Sequence, residues 1–159
     1  MIRVGQGYDA HALAAGRNLI LGGVHIPHAK GLAGHSDADV LIHAICNACL
    51  GAAGLGDIGR HFPDSDEQYN NIASRELLRK VHEMMAARGW SLVNLDSTIV
   101  AQAPRLAPYL QKMIAHIAAD LDVPISSINI KAATTEKLGF IGREEGIAAH
   151  VVVLLVSDH

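Results

Sequence analysis

Ile147-Ala148-Ala149-His150-Val151-Val152-Val153-Leu154-Leu155-Val156 is rich in β-branched residues and, apart from His150, continuously apolar. A strand with one wet face would alternate. This run does not, so it reads as a strand covered on both sides, at the centre of a sheet or in an interface between subunits. It is interrupted by a histidine and is too short to cross a bilayer.

Working back from this run, Thr134 to Gly146 reads as a loop holding Gly139, Gly142 and Gly146. Ser127 to Ala132 is a second strand, and Leu92 to Ala101 alternates like a third. Pro104 and Pro108 frame a loop and the start of a helix running to about Leu121. Ala73 to Arg88 has helical spacing and is closed by Gly89. Gly54 to Asn71 is a long polar loop with Pro63 and three aspartates, and loops of that length in a small domain are usually functional. Ser36-Asp37-Ala38-Asp39 has the form of a capping box, with Ser36 at the cap of a helix that continues to about Ala53. His28 to His35 is a loop. Asn18 to Ile26 reads as a hairpin turning at Gly22-Gly23, and residues 2–9 as a strand. Helices alternate with strands, so the class is α/β or α+β around a mixed sheet.

A length of 159 residues suits one compact domain spanning 1–159. Half of the residues are apolar and only 18% are charged. This pattern favours a subunit with a buried interface, although an apolar-rich monomer has the same composition. The net charge is −3, with one Trp, three Tyr and two Phe. No basic surface with interleaved aromatics can be drawn from these, which argues against nucleic-acid binding. A chain of this charge that handles phosphates must rely on metals, helix N-termini and backbone N–H groups. The first residues, Ile2-Arg3-Val4, are already strand-like and show no signal peptide, so the expected location is the cytoplasm, with no membrane partner. Cys46 and Cys49 fall within a helical pattern without a second Cys or His pair at zinc-finger spacing, and read as buried reduced thiols.

Four segments carry chemistry. In Asp9-Ala10-His11, strand geometry turns both polar side chains to one side. With His43, near the start of the following helix, they make a two-histidine, one-carboxylate set that suits a catalytic zinc with one position left open. A turn aspartate beside a surface histidine is the plain alternative. The run Gly34-His35-Ser36-Asp37-Ala38-Asp39-Val40 sets a helix N-terminus where phosphate can bind, or is simply a well-capped helix. In Leu55-Gly56-Asp57-Ile58-Gly59-Arg60-His61-Phe62-Pro63-Asp64-Ser65-Asp66, Asp57 offers a hard oxygen to Mg²⁺, or belongs to a solvated acidic loop. Thr134-Thr135-Glu136-Lys137-Leu138-Gly139-Phe140, followed by Gly142-Arg143, suits a diphosphate carrying a divalent ion. Gly5-Gln6-Gly7-Tyr8-Asp9-Ala10 matches a dinucleotide fingerprint. The strand before it is very short and no helix pattern follows, which argues against that reading.

Taken together, in this order and spacing, these segments resemble the 2-C-methyl-D-erythritol 2,4-cyclodiphosphate synthases from Arg3 to about Leu155. The runs that carry the resemblance are Gly7-Tyr8-Asp9-Ala10-His11, His35 to Asp39, Gly56 to Gly59 with Phe62-Pro63-Asp64, Ala101-Gln102-Ala103-Pro104, and Thr135 to Gly139. The resemblance implies a mixed β-sheet with helices packed on one face, and a homotrimer around a central channel with active sites between subunits. It implies the substrate 4-diphosphocytidyl-2-C-methyl-D-erythritol 2-phosphate, whose 2-phosphate attacks the β-phosphorus. CMP leaves and a cyclic diphosphate forms, as a step of non-mevalonate isoprenoid synthesis.

By position, the resemblance assigns Zn²⁺ to Asp9, His11 and His43, and Mg²⁺ or Mn²⁺ to Glu136. It places His35, Asp57, Thr134 and Glu136 in the catalytic group. Substrate would be held by Ser36 beside His35, and by Ile58 and Gly59 with Phe62, Pro63, Asp64, Ser65 and Asp66. Ala101, Gln102, Ala103, Pro104, Arg105 and Leu106 would frame the cytosine, and Thr135 would contact the nucleotide phosphates. Phe140, Arg143 and Glu145 would line the channel, where an isoprenoid diphosphate can sit. Three positions depart from the family pattern: Asn47 for Asp, Ala133 for Thr and Gln6 for His. The same residues also admit a zinc-dependent phosphoester hydrolase, or a non-catalytic trimer that binds isoprenoid diphosphate.

Overall fold

A computed structural model describes residues 1–158. The long apolar run is strand β7, Gly146–Val156, and it lies third of five in a sheet of order β4-β1-β7-β5-β6. Strand β1, Ile2–Ala15, pairs antiparallel with it from Ile2↔Val156 to Ala12↔Gly146. On its other side β7 pairs antiparallel with β5, Ser91–Val100, and β5 pairs parallel with β6, Ile128–Ala133. Strand β4, Lys30–Leu32, adds to the far end of β1. Strands β2, Leu19–Leu21, and β3, Val24–Ile26, form the expected separate hairpin. Gly22 and Gly23 both have positive φ, as a two-residue hairpin turn with the right twist requires.

Three long helices, α1 (Val40–Ala52), α3 (Ser74–Ala87) and α4 (Leu110–Leu121), pack in a layer on one face of the sheet. Two short ones, α2 (Ile58–His61) and α5 (Gly139–Gly142), lie in connections. The class is α+β with a mixed sheet, as the pattern indicated. Val151, Val153 and Leu155 of β7 are buried under the helices, together with Leu95 and Ile99 of β5. Alternate residues face the other way. Val4 is 69% exposed and Val152 49%, and the Tyr8 and His150 rings meet at a tilt of 58°, centroids 4.9 Å apart, between paired strands. Strand β7 therefore has the double-sided apolar character read from sequence, but this chain covers only one of its sides.

The first strand is longer than the expected 2–9, because β7 offers it a pairing edge as far as Ala12. The Gly-x-Gly decoy has a packing explanation: a Cβ on Gly5 would lie 2.0 Å from the Ala48 carbonyl oxygen, and one on Gly7 1.9 Å from that of Ala44. Helix α1 rests directly on the backbone of β1 at these two positions.

Asp39, not Ser36, caps α1. Its carboxylate accepts from the Ile42 backbone N–H at 3.1 Å and also from Gly22 and Gly23 at 3.0 and 2.7 Å. One buried side chain thus ties the hairpin turn to the helix start. Burial pushes this carboxyl up to about 6, against the opposite pull of the three N–H groups. With Asp39 seated there, the α1 N-terminus is a capped end and not an open phosphate cradle. Two stretches expected to be loops contain α2 and α5, and a third contains β4. Asp57 caps α2 by accepting from Arg60 N at 3.0 Å. Cys46 and Cys49 are buried and free, and burial pushes the Cys49 thiol up to about 12. Among the described residues no helix is long and apolar enough to cross a membrane.

Candidate metal centre and the cavities around it

On β1, Gly5, Gly7, Asp9 and His11 share the face turned toward α1. Where the glycines end, the polar pair begins, and it meets His43 from the first turn of α1. Asp9 Oδ2 lies 2.8 Å from His11 Nε2 and 3.4 Å from His43 Nδ1. The three ligand atoms all lie within 4.8 Å of one another, and this is a cluster that can hold a metal ion.

The donor atoms themselves show whether a metal fits. His11 Nδ1 is 3.1 Å from the Ala33 carbonyl, which can only accept, so that nitrogen carries the proton. In the neutral ring Nε2 then presents a lone pair to a carboxylate oxygen. Both atoms are buried and neither has a hydrogen-bond partner, despite their close approach. Two lone pairs at that distance require a cation between them, either a proton or a metal ion. Without metal a proton serves. A second ring proton, on Nε2, would be donated to Asp9, and this raises the His11 pKa, with burial opposing. Burial would raise the Asp9 carboxyl, but hydrogen bonds and attraction from His11 and His43 outweigh it and hold it at about 2. The residues present fit a divalent ion that accepts nitrogen and oxygen donors.

The cluster opens into a cavity of about 430 Å³ lined also by Gly34, His35, Asn47 and the 58–64 segment. Of the residues singled out in sequence, His35, Ile58, Gly59, Phe62, Pro63 and Asp64 line this cavity with the metal set. Ser36 does not; it lines a smaller neighbouring hollow with Arg17 and Asp37. Asp57, Ser65 and Asp66 are also absent from the wall. Asp57 caps α2, and Asp66 accepts from Gln68 N at 3.2 Å.

Asn47 explains its own departure from the pattern. Its amide oxygen accepts from Ile58 N at 2.9 Å and fixes the start of α2 against α1. That bond asks only for an acceptor, so the amide meets it as well as a carboxylate does.

A second cavity, about 400 Å³, is lined by 101–107 with Ala132, Ala133 and Thr134. It gathers all six of Ala101, Gln102, Ala103, Pro104, Arg105 and Leu106. The adjoining 134–138 turn is folded tightly: Glu136 and Lys137 both have positive φ, and Thr134 Oγ1 accepts from Glu136 N. Thr135 Oγ1 donates to the Leu138 carbonyl, and Lys137 N donates to Gln102 Oε1 at 3.0 Å, joining the two loops. Three strand spacings, roughly 14 Å, separate β6 from β1, and the lining of the metal cavity includes none of these residues. Phe140 is 41% exposed, and Arg143 pairs with Glu145 at 3.1 Å on the surface.

Two polar groups that shape the site escaped the sequence reading. Arg17 donates to the carbonyls of Leu32, Gly34 and Ser36 and so shapes the loop bearing His35. Ser74 touches the outer nitrogen of His43. Neither lies within a few residues of the groups it serves, so spacing carried no signal for them.

A 2-C-methyl-D-erythritol 2,4-cyclodiphosphate synthase of Nitrosomonas eutropha is 60% identical over 157 residues, covering 99% of this chain and 94% of that protein. The bifunctional IspDF of Campylobacter jejuni superposes with a TM-score of 0.95 at 46% identity; the match covers 99% of this chain, which spans 42% of that longer one. IspF of Plasmodium falciparum, solved as a CDP complex, matches with a TM-score of 0.87 at 33% identity over 99% of this chain and 97% of that one. The YgbB family profile aligns to residues 2–156, which include both cavities and the whole sheet, and the chain belongs to the YgbB family.

Proposed function

We propose that this protein converts 4-diphosphocytidyl-2-C-methyl-D-erythritol 2-phosphate to 2-C-methyl-D-erythritol 2,4-cyclodiphosphate and CMP, in non-mevalonate isoprenoid synthesis. The observation that carries this reading is the Asp9–His11–His43 cluster opening into a cavity walled by 58–64, in a chain 60% identical to a synthase so named. The metal is proposed as Zn²⁺ at Asp9, His11 and His43, with Mg²⁺ or Mn²⁺ at Glu136. Bound there, the two ions supply charge neutralisation and orientation for two anionic phosphates that must meet in line.

The chain's own residues do the rest. The substrate brings its own nucleophile, so no Ser, Cys or Lys nucleophile is needed. His35, on the mouth of the metal cavity and 3.9 Å from Asp64, meets the 2-phosphate. Ile58, Gly59, Phe62 and Pro63 shut water away from the methylerythritol, with Asp57 and Asp66 holding the surrounding loops by accepting from Arg60 N and Gln68 N. The 101–106 loop takes the cytosine, largely through backbone groups, and Thr134 and Thr135 present hydroxyls to the nucleotide phosphates.

Assembly as a homotrimer completes this reading. The metal half-site and the nucleotide half-site lie in different cavities of one chain. The sheet face away from the helices is bare, and where β1 meets β7 it exposes the apolar side chains of Ile2, Val4, Tyr8 and Val152. Packing that face against two further copies buries it around a channel, where Phe140 and Arg143 would meet an isoprenoid diphosphate. The CDP bound by the Plasmodium falciparum structure fits a nucleotide half-site of this kind.

The test is product analysis with Zn²⁺ and Mg²⁺ in ¹⁸O-labelled water. Unlabelled cyclic diphosphate with equimolar CMP is expected. Labelled, ring-opened phosphate would sink the cyclase reading in favour of a hydrolase.

A further inference from the structure

Behind His43, on the side away from the metal cluster, stands a chain of two more residues. Ser74, the first residue of α3, is fully buried. Its Oγ lies 3.0 Å from His43 Nε2 and makes a very close contact with Asp37 Oδ1. The other Asp37 oxygen accepts from the Ser74 backbone N–H at 3.0 Å, and Asp39 N donates to Asp37 Oδ1 at 3.2 Å. The aspartate is thus clamped by backbone groups, and its position does not depend on the hydroxyl.

Hydrogen-bond arithmetic then fixes the imidazole. A carboxylate only accepts, and a serine hydroxyl has one proton to give. That proton goes to Asp37, so Ser74 Oγ can offer only a lone pair to His43, and His43 Nε2 must carry its hydrogen. The bare nitrogen is Nδ1, the atom that faces Asp9. His11 is set the opposite way by the Ala33 carbonyl, with Nε2 bare. We infer that Ser74 and Asp37 are positioning residues that hold His43 in the Nε2–H tautomer and aim its Nδ1 lone pair at the metal. This rests on the metal reading of the Asp9–His11–His43 cluster. Outer partners of this kind typically change metal affinity roughly 10–100-fold when removed.

The first experiment is ¹⁵N NMR of the metal-free parent protein above the imidazole titration range, reading the His43 tautomer. Nε2–H is expected, and Nδ1–H would overturn the inference without any mutation. The second is zinc affinity by chelator competition for Ser74→Ala and Asp37→Asn, with Ser74→Thr as the variant that keeps the hydroxyl. The expected result is zinc binding weakened roughly 10–100-fold in the first two and restored in the third, with loss of the fixed tautomer in Ser74→Ala. Unchanged zinc affinity in folded Ser74→Ala or Asp37→Asn would overturn it, as would a fall in melting temperature with the tautomer intact. A parent protein that binds no zinc defeats the metal reading itself, and that outcome is visible before any variant is made.

Discussion

Gly7 lies directly beneath Ala44, so close that a Cβ at residue 7 would meet the Ala44 carbonyl oxygen at 1.9 Å. Gly5 repeats the relationship beneath Ala48 at 2.0 Å. Two residues of strand advance about 6.6 Å and four residues of helix about 6.0 Å, so strand and helix stay in step over this length. Two more strand residues carry β1 from Gly7 to Asp9, and His43, the residue before Ala44 on α1, turns to its side. The metal cluster is thus placed by a backbone contact that only glycine permits.

Gly7→Ala should therefore lift α1 from the sheet. A destabilisation of about 3 kcal/mol is expected, at the upper end for overpacking because the obstacle is backbone. Zinc affinity should fall along with it. Gly51 has nothing within 4 Å of its would-be Cβ and lies exposed in α1. Gly51→Ala should raise stability by about 0.5–1 kcal/mol. Urea unfolding of the metal-free proteins compares the two.

Removing Asp9 should change the pH profile of the metal-free protein in a defined window. The Asp9 carboxyl is held down to about 2, so its contribution is present above the unfolded value near 3.8 and is lost as pH falls toward 2. The His11 pKa is raised, so its contribution is full below 6.5 and is lost as pH climbs through the raised value. The advantage of the parent over Asp9→Asn should be greatest between roughly pH 4 and 6.5 and should shrink on either side. Denaturation in the presence of chelator, scanned over pH, measures it.

Asp39→Asn replaces an oxygen that accepts backbone N–H groups with an amide that donates. At least one of the Gly22, Gly23 and Ile42 donors loses its acceptor. A cost of about 1–3 kcal/mol at neutral pH is expected. Amide exchange should quicken first in the β2–β3 turn and the first turn of α1.

If the two half-sites meet between subunits, inactive variants should complement each other. His43→Ala leaves the nucleotide half intact, and Glu136→Gln leaves the zinc half intact. Co-refolding the two should restore a fraction of CMP release that neither shows alone. A mixture as inactive as its parts would place both halves in one subunit.

Val152→Glu sets a charge on the bare sheet face. Because Val152 is half exposed in the single chain, the monomer should lose only about 0.5 kcal/mol. The proposed trimer should then fall apart in sedimentation, and activity should go with it.

Much of this could be read from the residues. Apolar character broken only by His150 placed β7 at the centre of a sheet or in an interface, and Gly22-Gly23 gave the hairpin. Asp9 and His11 declared themselves through strand parity, because parity is a local rule. The capping residue was misassigned because both Ser36 and Asp39 are good caps, and the choice falls on the one whose carboxylate also reaches the Gly22 and Gly23 N–H groups across the fold. Ser74 was invisible for the same reason: its partner His43 is 31 residues away, and a serine opening a helix looks like any other. The extent of β1 past residue 9 was set by its partner strand. What the sequence could not show was, in each case, a contact between distant segments.

The pairing of β1 with β7 also has a consequence for the order of events at the ribosome. Asp9 and His11 are translated well before the strand that holds them straight, Gly146–Val156. Until it emerges, β1 has only the short edge strand β4 as a sheet partner, and its apolar residues wait in an unclosed chain. Such long-range closure slows folding, because the sheet cannot close around β1 until β7 arrives.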